Sequence, residues 1–399
     1  MSRYEGSVTR THGPAVLAAL AAVTLLAAGC GPQQPAAGRP GAGTASRQPA
    51  KAAVPGGFTL LATGDVLPHT EIIEQARKDA HGGGHDFGPM LAGVRPLVTG
   101  ADLAICHMET VYGENSGPFT GYPAFVSPPQ VAAALKATGY DSCSTASNHT
   151  LDAGGAGVRR TLDALDAAGV RHAGSARSAS EAARPALLKA GRATVAQLAY
   201  TYGTNGIALP EGQPWAVGLI DRDKILADAR AARRAGADVV VVSLHWGTEW
   251  QQEPDEQQRT LSRALTAART GGRPDIDLIL GTHAHVPQAY EKVNGTWVVY
   301  GMGDQLAGYM YNPQGAVDSR GNQSSMARFT FAPPGKAGGR WTVATAEFVP
   351  QLTDVDHAFR VVPLAQDAPR GSTHARARDA IRETVLSRGA ADDGLVMTG

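Results

Sequence analysis

Five β-type segments in this chain each run into a residue able to bind a metal ion, and helical periods fill the intervals between them. The runs are Thr59-Leu60-Leu61-Ala62-Thr63-Gly64-Asp65, Asp102-Leu103-Ala104-Ile105-Cys106-His107-Met108-Glu109, Asp141-Ser142-Cys143-Ser144-Thr145-Ala146-Ser147-Asn148-His149, Val239-Val240-Val241-Val242-Ser243-Leu244-His245-Trp246-Gly247 and Asp277-Leu278-Ile279-Leu280-Gly281-Thr282-His283-Ala284-His285. Short apolar runs bounded by turn residues read as buried strands. Between them, Val158, Leu162 and Leu165 fall at i, i+4 and i+7 and Gly169 follows, which predicts an amphipathic crossover helix. Helices are also predicted near residues 223–235 and 256–269, each leading through glycine into the next strand.

Strand–helix–strand order predicts an α/β fold with parallel strands. Parallel strands joined by crossovers point the same way, so their C-terminal ends share one edge, outside which ligands bind. The five scattered motifs therefore predict one cluster. Beyond about residue 293 the pattern changes to strands and turns, at 296–300, 327–332 and 341–349, read as antiparallel additions. A final polar helix near 374–387, within a C-terminal segment 368–399, is expected to be peripheral to a domain of residues 58–367.

The N-terminus has a different character. Arg3 and Arg10 precede an apolar stretch at 15–28 that ends in Leu25-Leu26-Ala27-Ala28-Gly29-Cys30. Residues 1–30 thus resemble a lipoprotein signal peptide with Cys30 as the lipidated residue, which predicts an extracytoplasmic protein held to the cell membrane by a lipid anchor; secretory cleavage is the alternative. Residues 31–57, rich in Gly, Pro and Ala, are read as a flexible tether. Cys106 and Cys143 sit within apolar strands, where small buried thiols are the simple expectation and a bridge between neighbouring strands the alternative. Lys+Arg and Asp+Glu both number 36, so no net field draws nucleic acid, and no basic patch with interleaved aromatics is present.

The candidate chemistry lies at the strand ends. In an extended segment His283 and His285 would face one side. Asp65 and Glu109 are acids directly after buried strands and need partners. Asn148 and His149 offer an oxygen and an imidazole side by side, with Asp152 near enough in sequence to orient either. His245 leaves a run of four valines, and Trp246 is expected to wall the site. An oxygen and nitrogen set without thiolate favours Mn, Fe, Zn or a mixed catalytic pair. Six candidate ligands exceed the needs of one tetrahedral ion and so predict two divalent ions.

These residues carry a resemblance. Gly64-Asp65, Met108-Glu109-Thr110, Asn148-His149 with Asp152 and Gly154, His245-Trp246-Gly247 with Glu249, Gly281-Thr282-His283-Ala284-His285-Val286 and Tyr300-Gly301-Met302-Gly303-Asp304 resemble the capsule-synthesis CapA family, which is similar in fold to calcineurin-like metallophosphoesterases. The resemblance implies a four-layer α/β/β/α sandwich with a dinuclear centre. By matching position, Asp65, Glu109 and His285 would hold one ion, with Glu109 bridging; Asn148, His245 and His283 would hold the other. His149 would be the general acid, assisted by Asp152, and Trp246 and Glu249 would bind substrate. The chain departs from the pattern at Leu67, where metallophosphoesterases carry a ligand His for which His69 is a candidate substitute, at His107 and at Asp304-Gln305.

The function implied is a surface metallohydrolase acting on an anionic polymer of the poly-γ-glutamate type, or on a phosphoester linked to its assembly. Alternatives are a non-catalytic accessory subunit of a membrane polymer-synthase complex and a broad-specificity phosphatase or nucleotidase.

Overall fold

The computed structural model describes residues 54–336 and 338–399. The expected signal segment, Cys30 and most of the tether lie outside these residues. In chain order the first half runs β1 (Phe58–Leu67), α1 (Thr70–Asp79), β2 (Leu103–Met108), α2 (Gln130–Thr138), β3 (Ser142–Ser144), α3 (Gly154–Ala168), β4 (Arg171–Ala173), β5 (Ala186–Ala190) and β6 (Ala193–Thr201). The second half runs α4 (Arg222–Arg234), β7 (Val239–His245), α5 (Glu256–Ala267), β8 (Leu278–Thr282), β9 (Tyr290–Val293), β10 (Thr296–Val299) and β11 (Asp304–Ala307), then β12 (Gln323–Ala332), β13 (Thr342–Asp354), β14 (Arg360–Pro363), α6 (Thr373–Leu386) and β15 (Leu395–Met397).

Nine strands form one sheet in the order β14-β13-β12-β1-β2-β3-β4, with β11 beside β1 and β15 beside β13; six form the second, β9-β10-β8-β7-β6-β5. Side-chain alternation explains why the sheets stack. Leu60, Ala62, Leu103 and Ile105 of the first sheet share a buried cluster with Val239, Val241, Leu278 and Leu280 of the second. Their chain neighbours Leu61, Ala104 and Cys106 turn the other way and pack with Leu135, Leu162 and Leu165 of α2 and α3. Likewise Val240, Val242 and Leu244 pack with Ile225, Ala229 and Leu265 of α4 and α5. Three apolar layers thus separate four layers of structure, the α/β/β/α order expected. Each Val239–Val242 side chain is wholly out of water, worth about 1.5–3 kcal/mol apiece relative to exposure.

Register brings the strand ends to one edge. Asp65 pairs with His107 across β1 and β2 and with Asp304 across β1 and β11, while His107 pairs with Ser144 and His245 with Thr282. Three features differ from the sequence reading. Strands beyond residue 293 are not uniformly antiparallel: β10 runs parallel to β8, β11 to β1 and β15 to β13. Nor is α6 peripheral, because Ala377, Ile381 and Val385 close the inter-sheet cluster beside Phe348. Cys106 and Cys143, partners in the β2/β3 register, form a disulfide, in place of the free thiols first expected. Among the described residues no helix is long and apolar enough to cross a membrane.

Two stability measurements follow. A Cβ at Gly281 would lie 1.9 Å from the Tyr300 carbonyl oxygen, which accepts the Trp246 indole N–H at 2.9 Å. Gly281→Ala is therefore expected to cost about 3 kcal/mol in denaturant unfolding, against no change if the backbone can yield. Replacing Cys106 and Cys143 by Ala is expected to cost about 2–5 kcal/mol relative to the oxidised chain; wild-type stability indifferent to reductant would show the thiols unbonded.

Candidate metal centre

Asp65 reaches the edge because Gly64 lets β1 press against the Gly303 turn: a Cβ at position 64 would lie 1.7 Å from the Gly303 carbonyl oxygen, and Asp65 N–H donates to that oxygen at 3.1 Å. The Asp65 carboxylate is wholly buried. Its Oδ2 accepts the His283 N–H at 3.1 Å, and its Oδ1 lies 3.4 Å from His107 Nε2 and 3.7 Å from His245 Nδ1. Glu109, also buried, brings Oε1 to 3.8 Å from His245 Nε2. Asn148 Oδ1 lies 2.8 Å from that same Nε2, and its amide donates to Asn205 Oδ1 at 3.1 Å.

His283 and His285 both adopt left-handed backbone, φ 92° and 57°. Strand alternation is therefore not what brings them together, since β8 has ended at Thr282. Such conformations are costly for a residue with a Cβ and persist where surrounding contacts impose them. His285 Nδ1 lies 2.9 Å from Asp304 Oδ1, which fixes its ring. The His283 ring sits 4.7 Å from that of His245 and 4.5 Å from that of Tyr202.

Among the described residues, three overlapping sets of side chains have ligand atoms within 4.8 Å of one another: Asp65, His107 and His245; Asp65, Glu109 and His285; and Glu249, His283 and His285. The buried atoms here without a hydrogen-bond partner are Asp65 Oδ1, His107 Nε2, both Glu109 oxygens, His283 Nδ1 and Asp304 Oδ2. Buried polar atoms are ordinarily partnered, so this convergence of oxygens and imidazole nitrogens fits divalent cations. Electrostatics agrees. Burial and then Asp304 push Asp65 up to about 8, and burial and then Asp65 push Glu109 well above the usual carboxylate range. Burial holds His107 down to about 3. Burial alone would depress His285, but Asp304 and Glu109 outweigh it and raise it well above an ordinary imidazole. The charges acting most strongly on Asp65, Glu109 and Asp304 belong to other acids and to His285, not to a lysine or arginine.

Beside this cluster, His149 Nδ1 lies 2.7 Å from Asp152 Oδ2, which also accepts the Phe125 N–H at 2.7 Å. The Phe125 ring meets His149 edge-on at 4.8 Å. Trp246 does not wall the site. Following His245, it points to the opposite side of the strand, is wholly buried with Leu244 and Tyr300, and donates to the Tyr300 carbonyl oxygen. His69 belongs to none of the three sets; its Nδ1 takes the Gly308 N–H at 3.2 Å. Sequence reasoning left His107 out of the ligand set and did not identify Asp304 as the partner of His285. Two signals mark them: His107 stands at i−2 from Glu109, and Gly303-Asp304 repeats the Gly64-Asp65 pattern.

Residues 59–309, more than half the chain, match the bacterial capsule synthesis protein PGA_cap family. The chain belongs to that family. It is 31% identical over 173 residues to the PGA biosynthesis protein CapA of Bacillus subtilis, a match covering 43% of each chain. It is 28% identical over 229 residues to a probable polyglutamine synthesis accessory protein of Mycobacterium tuberculosis, covering 53% of this chain and 57% of that one. The chain thus spans about half the length of the curated relatives it matches. Among solved structures, a 5′-nucleotidase precursor from Thermus thermophilus is similar at 16% identity and TM-score 0.44, over 83% of this chain and 59% of that one.

Asp304 offers a direct check on the centre. Partners that orient a ligand imidazole are typically worth about 10–100-fold in metal affinity. Asp304→Ala is accordingly expected to weaken Mn2+ or Zn2+ binding by about that factor in chelator competition; unchanged affinity would place Asp304 outside the centre.

Proposed function

We propose that this chain is a surface-anchored, dinuclear metal-dependent hydrolase serving the synthesis of an anionic capsule or cell-wall polymer of the poly-γ-glutamate type. The observation that carries the reading is the set of buried, unpartnered oxygens and nitrogens converging at one sheet edge. Asp65, Glu109 and His285 would hold one ion and Asn148, His245 and His283 the other, with Glu109 shared between them. Two such ions supply an activated water and neutralise charge developing on a phosphoryl or acyl group.

The chain's own contribution is proton delivery and orientation. Asp152 bonds to His149 Nδ1, which leaves Nε2 as the proton-carrying atom for the leaving group. The Phe125 N–H and ring restrain Asp152 and the imidazole in turn. Anchoring through Cys30 on the outer side of the membrane is part of the proposal, and the Cys106–Cys143 disulfide supports an oxidising compartment. The polymer and a membrane polymer-synthase complex are the proposed substrate and partner.

A second reading, a non-catalytic accessory subunit of that complex, draws on the Mycobacterium tuberculosis relative, named as an accessory protein. One variant separates the two. His149→Ala is expected to lower hydrolysis of a phosphoester or γ-glutamyl substrate panel by about 100-fold or more with metal content unchanged. Absence of turnover by the metal-loaded wild type, with polymer synthesis in cells indifferent to the variant, would favour the accessory subunit.

A further inference from the structure

Glu249 is the one acid of the cluster that faces solvent, and its position is built rather than incidental. The loop carrying it is pinned at both ends to the segment bearing the two histidines: Trp246 N–H donates to the Thr282 carbonyl at 3.2 Å, and Trp250 N–H donates to the Ala284 carbonyl at 2.8 Å. Between these bonds the chain turns through Gly247 at φ 90°, where a Cβ would lie 2.7 Å from the Gln258 amide. That amide is itself fixed, donating to Gln288 Oε1 at 2.8 Å. Trp250 completes the turn in left-handed backbone at φ 66°, a conformation tryptophan adopts only under constraint.

The result is a carboxylate oxygen within 4.8 Å of ligand nitrogens of both His283 and His285. His283 Nδ1 is buried without a hydrogen-bond partner, an orphaned polar atom that a cation would satisfy. Glu249 also adds a fourth carboxylate to a group that already holds Asp65, Glu109 and Asp304. Four carboxylates in one cluster are balanced by two divalent ions.

We propose that Glu249 would be a metal ligand together with His283 and His285, the exposed member of a set whose other two members are buried. This assigns Glu249 a role different from the substrate contact implied by its sequence motif, and it rests on the metal-centre reading above. As the exposed member of its set, Glu249 would bear on how readily that ion exchanges with solvent.

The test uses the full chain and Glu249→Gln, which keeps the shape and removes the charge. Affinities for Mn2+ and for Zn2+ alone are measured by chelator competition, with metal content by mass spectrometry and the melting temperature of the metal-free form. The variant is expected to bind at least one ion about 10-fold or more weakly, to lose it faster to chelator, and to melt with the wild type when metal-free. Unchanged metal affinity and exchange, with a raised KM for any substrate, would overturn the proposal and return Glu249 to substrate binding. A wild-type chain that takes up neither ion would overturn the metal centre itself, an outcome distinguishable because the variant then has nothing to lose.

Discussion

Asp65, Glu109 and Asp304 are carboxylates held almost wholly out of water in one small space, and the cost of charging them together governs the rest of this edge. Isolated buried carboxylates either take up a proton or acquire a cation. The two alternatives make different proteins. With protons, the edge is an inert polar seam; with divalent ions, it is a reactive centre whose ligands are already in position. The neighbours favour the second, because His107 brings an unpartnered nitrogen to 3.4 Å from Asp65 and the buried His283 Nδ1 is unpartnered too.

The two sheets exist in the arrangement that makes this possible. Apolar alternation in β1, β2, β7 and β8 welds the sheets face to face, and parallel register within each pair carries the polarity change to the same end of both strands. The glycines at the crossing points allow backbones to touch: Gly64 against Gly303 and Gly281 against Tyr300 leave no room for a side chain. Packing therefore sets the distances between functional groups on different sheets, and the loops after the strands only complete them.

Much of this was legible in the chain. A buried parallel strand has to be an apolar run, and an acid or imidazole at the end of such a run is conspicuous, so Asp65, Glu109, His245, His283 and His285 stood out together. What was not legible depended on register and on local backbone. Asp304 lies beside Asp65 only because β11 takes over from β12 as the neighbour of β1, a pairing no local pattern encodes. His283 and His285 share a cavity through two left-handed residues and not through extended geometry. The expected wall, Trp246, is on the other face for the same alternation that delivers His245, and α6 looks peripheral in composition yet seals the far end of the inter-sheet core.

The measurement that bears most directly on the central claim is the metal content of the full chain, purified without chelator, loaded separately with Mn2+ and Zn2+, desalted and counted by mass spectrometry. The buried carboxylates and imidazoles predict two ions bound per chain. A loaded protein that retains none, and whose melting temperature is indifferent to metal, would show that protons alone neutralise Asp65, Glu109 and Asp304, and the account of this edge as a reactive centre would be wrong.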